Sequence, residues 1–239
     1  MIIIPARIGS SRFPNKVLVP VGDIPMVIRT AQAVSSLDSV VIATDDEGVM
    51  SIAKEYGFRS VMTSKEHQSG TDRVYEASQI LNLPDDEIII NVQADEPFIE
   101  HEVLERVYET IYKYKNDDEV VASSAYKIIS NPEADDPNIV KVVTDENNLA
   151  LYFSRAKIPY PRDHHFGEYK GHLGIYAYTM RGLRLFCSFS SSNLESIEKL
   201  EQLRILENGY KIAMTEVKTE SFGIDTPEDL ERALKRHIL

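Results

Sequence analysis

Short runs rich in β-branched residues recur at 2–4, 40–44, 59–63, 87–93, 120–127, 140–144, 150–153, 173–179 and 211–217. They alternate with helix-length segments through most of the chain, the order expected of a parallel sheet covered on both faces. Helix-length segments at 26–37, 47–56, 72–81, 101–114, 194–207 and 227–235 fill most of the gaps and supply that cover. The last has Thr226 placed as N-cap, Pro227 at the first helical position and acids in its first turn. This alternation predicts an α/β fold: a Rossmann-like, mostly parallel twisted sheet flanked by helices.

No repeat or low-complexity stretch interrupts the pattern. The serine cluster at 188–192 is short enough for a helix-to-helix turn, and 154–171, with Pro159, Pro161, His164 and His165, reads as a long surface loop. The 239 residues are therefore expected to form a single domain with a substantial core. One cysteine, Cys187, leaves no disulfide framework and no CxxC pair. The start Met1-Ile2-Ile3-Ile4-Pro5 has no basic leader, and no run reaches the ~18 apolar residues of a membrane span. The expected location is the cytoplasm.

A formal net charge of −12, from 26 basic and 38 acidic residues, argues against a nucleic-acid or membrane-surface binder. Against that background, Arg7, Arg12 and Lys16 lie in an opening stretch free of Asp and Glu. The segment Pro5-Ala6-Arg7-Ile8-Gly9-Ser10-Ser11-Arg12 leaves the carboxyl end of the first strand, where open α/β sheets place their ligands. Small residues there can expose backbone N–H groups to phosphate oxygens, while Arg and Lys add fixed and mobile charge. The spacing matches neither a Walker A loop nor GxGxxG. Phosphate binding and a solvated basic turn both remain open on these residues alone.

Asp95 follows the apolar strand at 87–93, and Asp225 precedes the last helix. Two carboxylates near an anion loop suit Mg²⁺, which takes one or two carboxylates together with phosphate oxygens. A turn cap for Asp95 and helix-end electrostatics for Asp225 account for them equally well. Asp45 and Asp46 read as helix caps. Ser69-Gly70-Thr71-Asp72-Arg73 opens a helix, where it could cap or could hold a base or ribose. On 194–207, Leu194, Ile197, Leu200, Leu203 and Leu206 mark one face, leaving Glu198, Glu201 and Gln202 on another, ordinarily a solvated one. His172 opens a strand without zinc spacing to any other histidine.

Taken together, the ordered blocks resemble the CMP-Kdo synthetases, the 3-deoxy-manno-octulosonate cytidylyltransferases, over nearly the whole chain. They are Ile4-Pro5-Ala6-Arg7 with Ser11-Arg12 and Lys16, Ala43-Thr44-Asp45, His67-Gln68-Ser69-Gly70-Thr71 and Asn91-Val92-Gln93; then Ala150-Leu151-Tyr152-Phe153-Ser154-Arg155, His172-Leu173-Gly174-Ile175-Tyr176, Lys199-Leu200-Glu201-Gln202-Leu203-Arg204 and Asp225-Thr226-Pro227-Glu228-Asp229-Leu230.

The resemblance implies a nucleotide-diphospho-sugar transferase type of sheet and transfer of a cytidylyl group from CTP to a sugar acid, for lipopolysaccharide synthesis. It implies that Arg7, Ser10, Arg12 and Lys16 hold the triphosphate and that the loop of Ser69, Gly70, Thr71 and Arg73 helps to hold the cytidine. By the same resemblance Asp95 and Asp225 bind Mg²⁺, so that Arg12, Lys16, Asp95 and Asp225 form the catalytic set. Gln93, His172, Tyr176, Glu201 and Gln202 would face the sugar acid. A homodimer is implied too, with a small dimerisation and sugar-binding subregion around 150–190. One departure stands out: the family usually has Gly where this chain has Ala94, which matters if that position needs φ > 0 or lies against a phosphate. Alternatives are a cytidylyltransferase for the 8-amino analogue or a sialic acid, and a non-catalytic CTP-binding module.

Overall fold

The computed structural model describes residues 1–9, 13–67, 69–163 and 168–237, the last without its side chain. The chain divides into two compact units, Met1–His101 with Glu220–Leu239, and Glu102–Thr219. The α/β class expected from the sequence is what forms: helices flank strands that pair both in parallel and antiparallel.

The first unit opens with strand β1 (Ile2–Ala6), every residue of which is buried. A small hairpin of β2 (Pro20–Val21) and β3 (Ile24–Pro25) leads into helix α1 (Met26–Val34), whose Met26, Val27, Ile28, Ala31 and Val34 are buried. Then come β4 (Val40–Thr44), α2 (Glu47–Glu55), β5 (Arg59–Met62), α3 (Gly70–Ile80) and β6 (Ile88–Asn91). The strands pair in parallel in the order β6, β1, β4, β5. A proline inside the central strand removes a ladder donor, yet Pro5 costs little. Ile2 N–H donates towards β4, at Ser39, and the Ile3 carbonyl accepts from Val92 on the β6 side. Alternation therefore turns Pro5 to the β6 side, beyond that strand's last residue. The helix Pro227–His237 starts as expected: Thr226 Oγ1 accepts from Asp229 N–H, and the Asp229 carboxylate accepts from Thr226 N–H.

In the second unit, α4 (His101–Lys113, whose first residue belongs to the other unit) is tied to β7 (Val120–Ile129) by Ser123 Oγ, which donates to Val107 O. After a single turn, α5 (Asn131–Ala134), follow β8 (Lys141–Thr144), β9 (Ala150–Ser154) and β10 (Tyr169–Thr179). β10 runs antiparallel to β7 and is bulged between Leu173 and Tyr176. Helix α6 (Met180–Ser188) packs so close to β7 that a Cβ on Gly182 would collide with the Val121 carbonyl.

The segment 194–207 corrects the expectation of one helix. It forms α7 (Asn193–Glu198) and α8 (Leu203–Glu207), separated at Lys199, whose φ of 55° is left-handed. The Glu198 carbonyl, which a continuous helix would offer to residue 202, instead accepts from Arg155 Nε at 2.8 Å. The Glu198 carboxylate accepts from Ser154 Oγ and Arg155 N. Arg204 then clamps the two short helices through a bidentate pair with Glu195. The expected faces change accordingly: Ile197 is 69% exposed and Gln202 only 5%. Finally, β11 (Lys211–Glu216) pairs parallel with β7.

Candidate functional site

In the first unit, the segments beyond the carboxyl ends of β1 and β6 bring opposite charges together. Asn15 adopts φ 54°, a left-handed conformation that asparagine tolerates, and opens a short 3₁₀ turn over Lys16–Leu18. Lys16 Nζ donates to Asp95 Oδ2 at 2.5 Å and to Asp225 Oδ1 at 2.8 Å. Burial alone would lower the lysine's pKa, but the two carboxylates more than offset it and hold the ammonium above its ordinary value.

The carboxylates are themselves anchored through backbone. Asp95 sits in the turn closed by Glu96 N–H donating to Gln93 O, and the Asp95 carbonyl accepts from Ile224 N–H. Beneath the turn, the buried Thr30 hydroxyl lies 2.9 Å from the Ala94 carbonyl. Thr30 is a support of this turn that sequence reading missed, and its signal was a polar residue on the apolar face of α1. Ala94 has no positive φ, unlike Asn15, Asn82, Asn148 and Lys199. Its methyl is therefore accommodated without backbone strain. Asp225 does not cap the last helix, because Thr226 and Asp229 do.

Around α3 the predicted residues play several parts. Ser69 is the N-cap, accepting from Asp72 N–H. Gly70 lies beside Gln93, since a Cβ there would come within 3.3 Å of Gln93 Oε1 and Pro5 Cγ. Gln93 Nε2 donates to Asn91 Oδ1, and the buried Asn91 amide points at Thr71 Oγ1 at 3.5 Å. Arg73 is only 2% exposed and donates to Thr63 Oγ1 and Asp45 Oδ2. Its guanidinium braces the loops after β4 and β5, so any effect on a bound base passes through their positions. Asp45 is thus an ion-pair partner rather than the expected cap, whereas Asp46 does cap α2, accepting from Val49 N–H. Arg7 is exposed. Ser10 and Arg12, two expected phosphate ligands, lie outside the described residues.

A second cluster lies wholly in the other unit. The His172 ring meets the edge of Phe153 at 4.9 Å and tilts against Tyr176 at 5.5 Å between centroids. Desolvation pushes the His172 pKa down to about 3, so the ring is neutral at physiological pH. Tyr176 is held well above the ordinary tyrosine value by burial and by the Glu201 carboxylate. Gln202 is buried on the same short segment as Glu201. The break at Lys199 thus carries these two residues on a corner anchored by Glu198 and Arg155.

A cationic loop, paired carboxylates and a neutral polar–aromatic cluster suit phosphate, a divalent cation and a hydroxylated ligand, and comparison with known proteins narrows this. A cytidylyltransferase family model matches residues 1–212. A 3-deoxy-manno-octulosonate cytidylyltransferase from a Nitratiruptor species is 58% identical over 232 residues, 97% of each chain. The chain belongs to this cytidylyltransferase family. A second 3-deoxy-manno-octulosonate cytidylyltransferase, from Wolinella succinogenes, is 52% identical over 98% of each chain. Among solved structures, a CMP:2-keto-3-deoxy-manno-octonic acid synthetase complexed with CTP superposes with a TM-score of 0.88 at 38% identity, covering 100% of this chain and 98% of that one. Among the described residues of this cytidylyltransferase, no helix is long and apolar enough to cross a membrane.

Proposed function

We propose that the chain transfers the cytidylyl group of CTP to 3-deoxy-manno-octulosonate, giving CMP-Kdo and pyrophosphate for lipopolysaccharide synthesis. Near full-length identity of 58% to a relative of that name is the observation that carries the reading. The acceptor hydroxyl oxygen forms a bond to the α-phosphorus, the bond from that phosphorus to the bridging oxygen breaks in line, and the hydroxyl proton passes to solvent. Lys16, with Arg7 and Arg12, offsets charge on the triphosphate and on departing pyrophosphate. Gln93, His172, Tyr176, Glu201 and Gln202 are assigned to the sugar acid, with the neutral rings and amides orienting its hydroxyls.

The donor set supports Mg²⁺ as cofactor. Asp95 and Asp225 converge on one cationic nitrogen, at 2.5 and 2.8 Å, and hard carboxylate oxygens are what Mg²⁺ prefers. Held there, the ion would supply positive charge against phosphoryl oxygens. Exposed Leu151 and Tyr160, at 61% and 84%, support a homodimer formed through the segment after Ala150. Cys187, a thiol outside any disulfide, supports a cytoplasmic location.

Pyrophosphate release from CTP and Mg²⁺ tests the proposal, with Kdo, its 8-amino analogue, a sialic acid or no acceptor. Release with Kdo alone is expected. Preference for another acid would reassign the acceptor, and CTP binding without release would identify a nucleotide-binding module.

A further inference from the structure

The bulge in β10 places the side chain of Ser124, on β7, against three partners. Its Oγ lies 2.9 Å from His172 Nε2, 2.8 Å from the Ile175 carbonyl oxygen and 3.1 Å from that of Leu173. A serine hydroxyl has one proton to give. The carbonyls can only accept, so that proton goes to them. The ring contact is then a hydrogen bond only if Nε2 carries a proton and donates it to Oγ. With the proton on Nδ1 instead, the hydroxyl would turn to Nε2 and leave two carbonyl oxygens facing Oγ with no hydrogen between them, at a buried site where that is costly. Ser124 is itself fully buried, and its strand fixes it from both sides.

We infer that Ser124 is a positioning residue, whose hydroxyl holds His172 as the neutral tautomer protonated at Nε2 and makes Nδ1 the acceptor for a sugar-acid hydroxyl. The inference rests on the assignment of His172 to the sugar acid. Edge-on packing of Phe153 and the tilt of Tyr176 restrict ring flips that would exchange the two nitrogens. The low pKa of the ring agrees, because a doubly protonated imidazole would have no acceptor to offer. The bulge thereby acquires a use: it brings two strand carbonyls to the one hydroxyl that also meets the ring.

Nitrogen-15 NMR of the full chain labelled at histidine reads the tautomer directly. The His172 resonances are expected to report a proton on Nε2, and a proton on Nδ1 would overturn the inference even if every variant failed to fold. In steady-state kinetics Ser124→Ala is expected to raise KM for the sugar acid about tenfold, leaving KM for CTP and kcat within about twofold. Ser124→Thr, which keeps the hydroxyl, is expected to restore the Nε2–H signature and most of that loss. An unchanged sugar-acid KM in Ser124→Ala alongside a raised one in His172→Gln would overturn the positioning role alone. An unchanged KM in His172→Gln would overturn the assignment of His172, and the inference with it.

Discussion

The N–H of Ile224 donates to the carbonyl oxygen of Asp95 at 2.9 Å, so the loop that carries Asp225 is stitched through backbone to the turn that carries Asp95. Two acidic residues far apart in sequence thereby acquire a fixed mutual geometry that needs neither side chain, and both carboxylates meet Lys16.

Replacing Lys16 by Met should lower kcat/KM about 100-fold or more, a loss of electrostatic stabilisation in the transition state. It should also alter the response to alkali. Lys16 binds its proton more tightly when folded, so its contribution is complete below 10.5, the ordinary lysine value, and fades as pH rises through the higher folded value. Melting temperatures above about pH 10.5 should therefore fall less steeply in Lys16→Met than in the parent.

Asp225→Asn should raise the Mg²⁺ concentration for half-maximal activity about tenfold or more. The melting temperature should fall only slightly, through the half-exposed pair with Lys16, because the helix start belongs to Thr226 and Asp229. A large loss of stability with an unchanged Mg²⁺ titration would return Asp225 to a structural role.

The depressed pKa of His172 makes acid unfavourable to the fold. The unfolded chain takes up that proton near 6.5 and the folded one only near 3, so stability present above pH 6.5 is lost as pH falls between those values. The slope is at most about 1.4 kcal/mol per pH unit. His172→Gln should flatten that limb in a pH series of urea unfolding curves.

Ala94→Gly restores the residue usual in the family. Since Ala94 already has an unstrained φ and is buried, the change should leave turnover within about twofold and cost about 0.5–1 kcal/mol through the freer unfolded chain. Chemical denaturation beside a kinetic assay checks both halves.

Lys141 is fully buried, and its ammonium donates to the carbonyl oxygens of Asp136, Ile139 and Arg155 at 2.9, 2.7 and 2.6 Å. Lys141→Met would leave those acceptors without their donor, at a cost of about 3 kcal/mol in denaturant unfolding.

What the sequence disclosed depended on the range of the forces involved. Strands such as Val40–Thr44 and the helix at Pro227 announce themselves through local apolar runs and capping residues. The break at Lys199 does not, because leucines at 200, 203 and 206 continue the helical period and only Arg155, from another strand's end, takes the Glu198 carbonyl. Helix Met180–Ser188 was also missed: Gly182 in its first turn looks like a breaker until the Val121 carbonyl beside it explains the need for hydrogen. Of the candidate site, the acids and cations were legible as residue types, and the structure brings Lys16, Asp95 and Asp225 together. That Arg73 turns inward to Asp45, or that Ser124 meets His172, follows only from strand register.

Viewed as coordination chemistry, the three carbonyl oxygens around the Lys141 nitrogen form a small alkali-metal cage whose occupant is tethered to the chain. The ion arrives by translation and cannot be dialysed away. The loops at Asp136 and Arg155, and through Arg155 the corner that presents Glu201 and Gln202, should thus keep their shape whatever the potassium or sodium content of the medium.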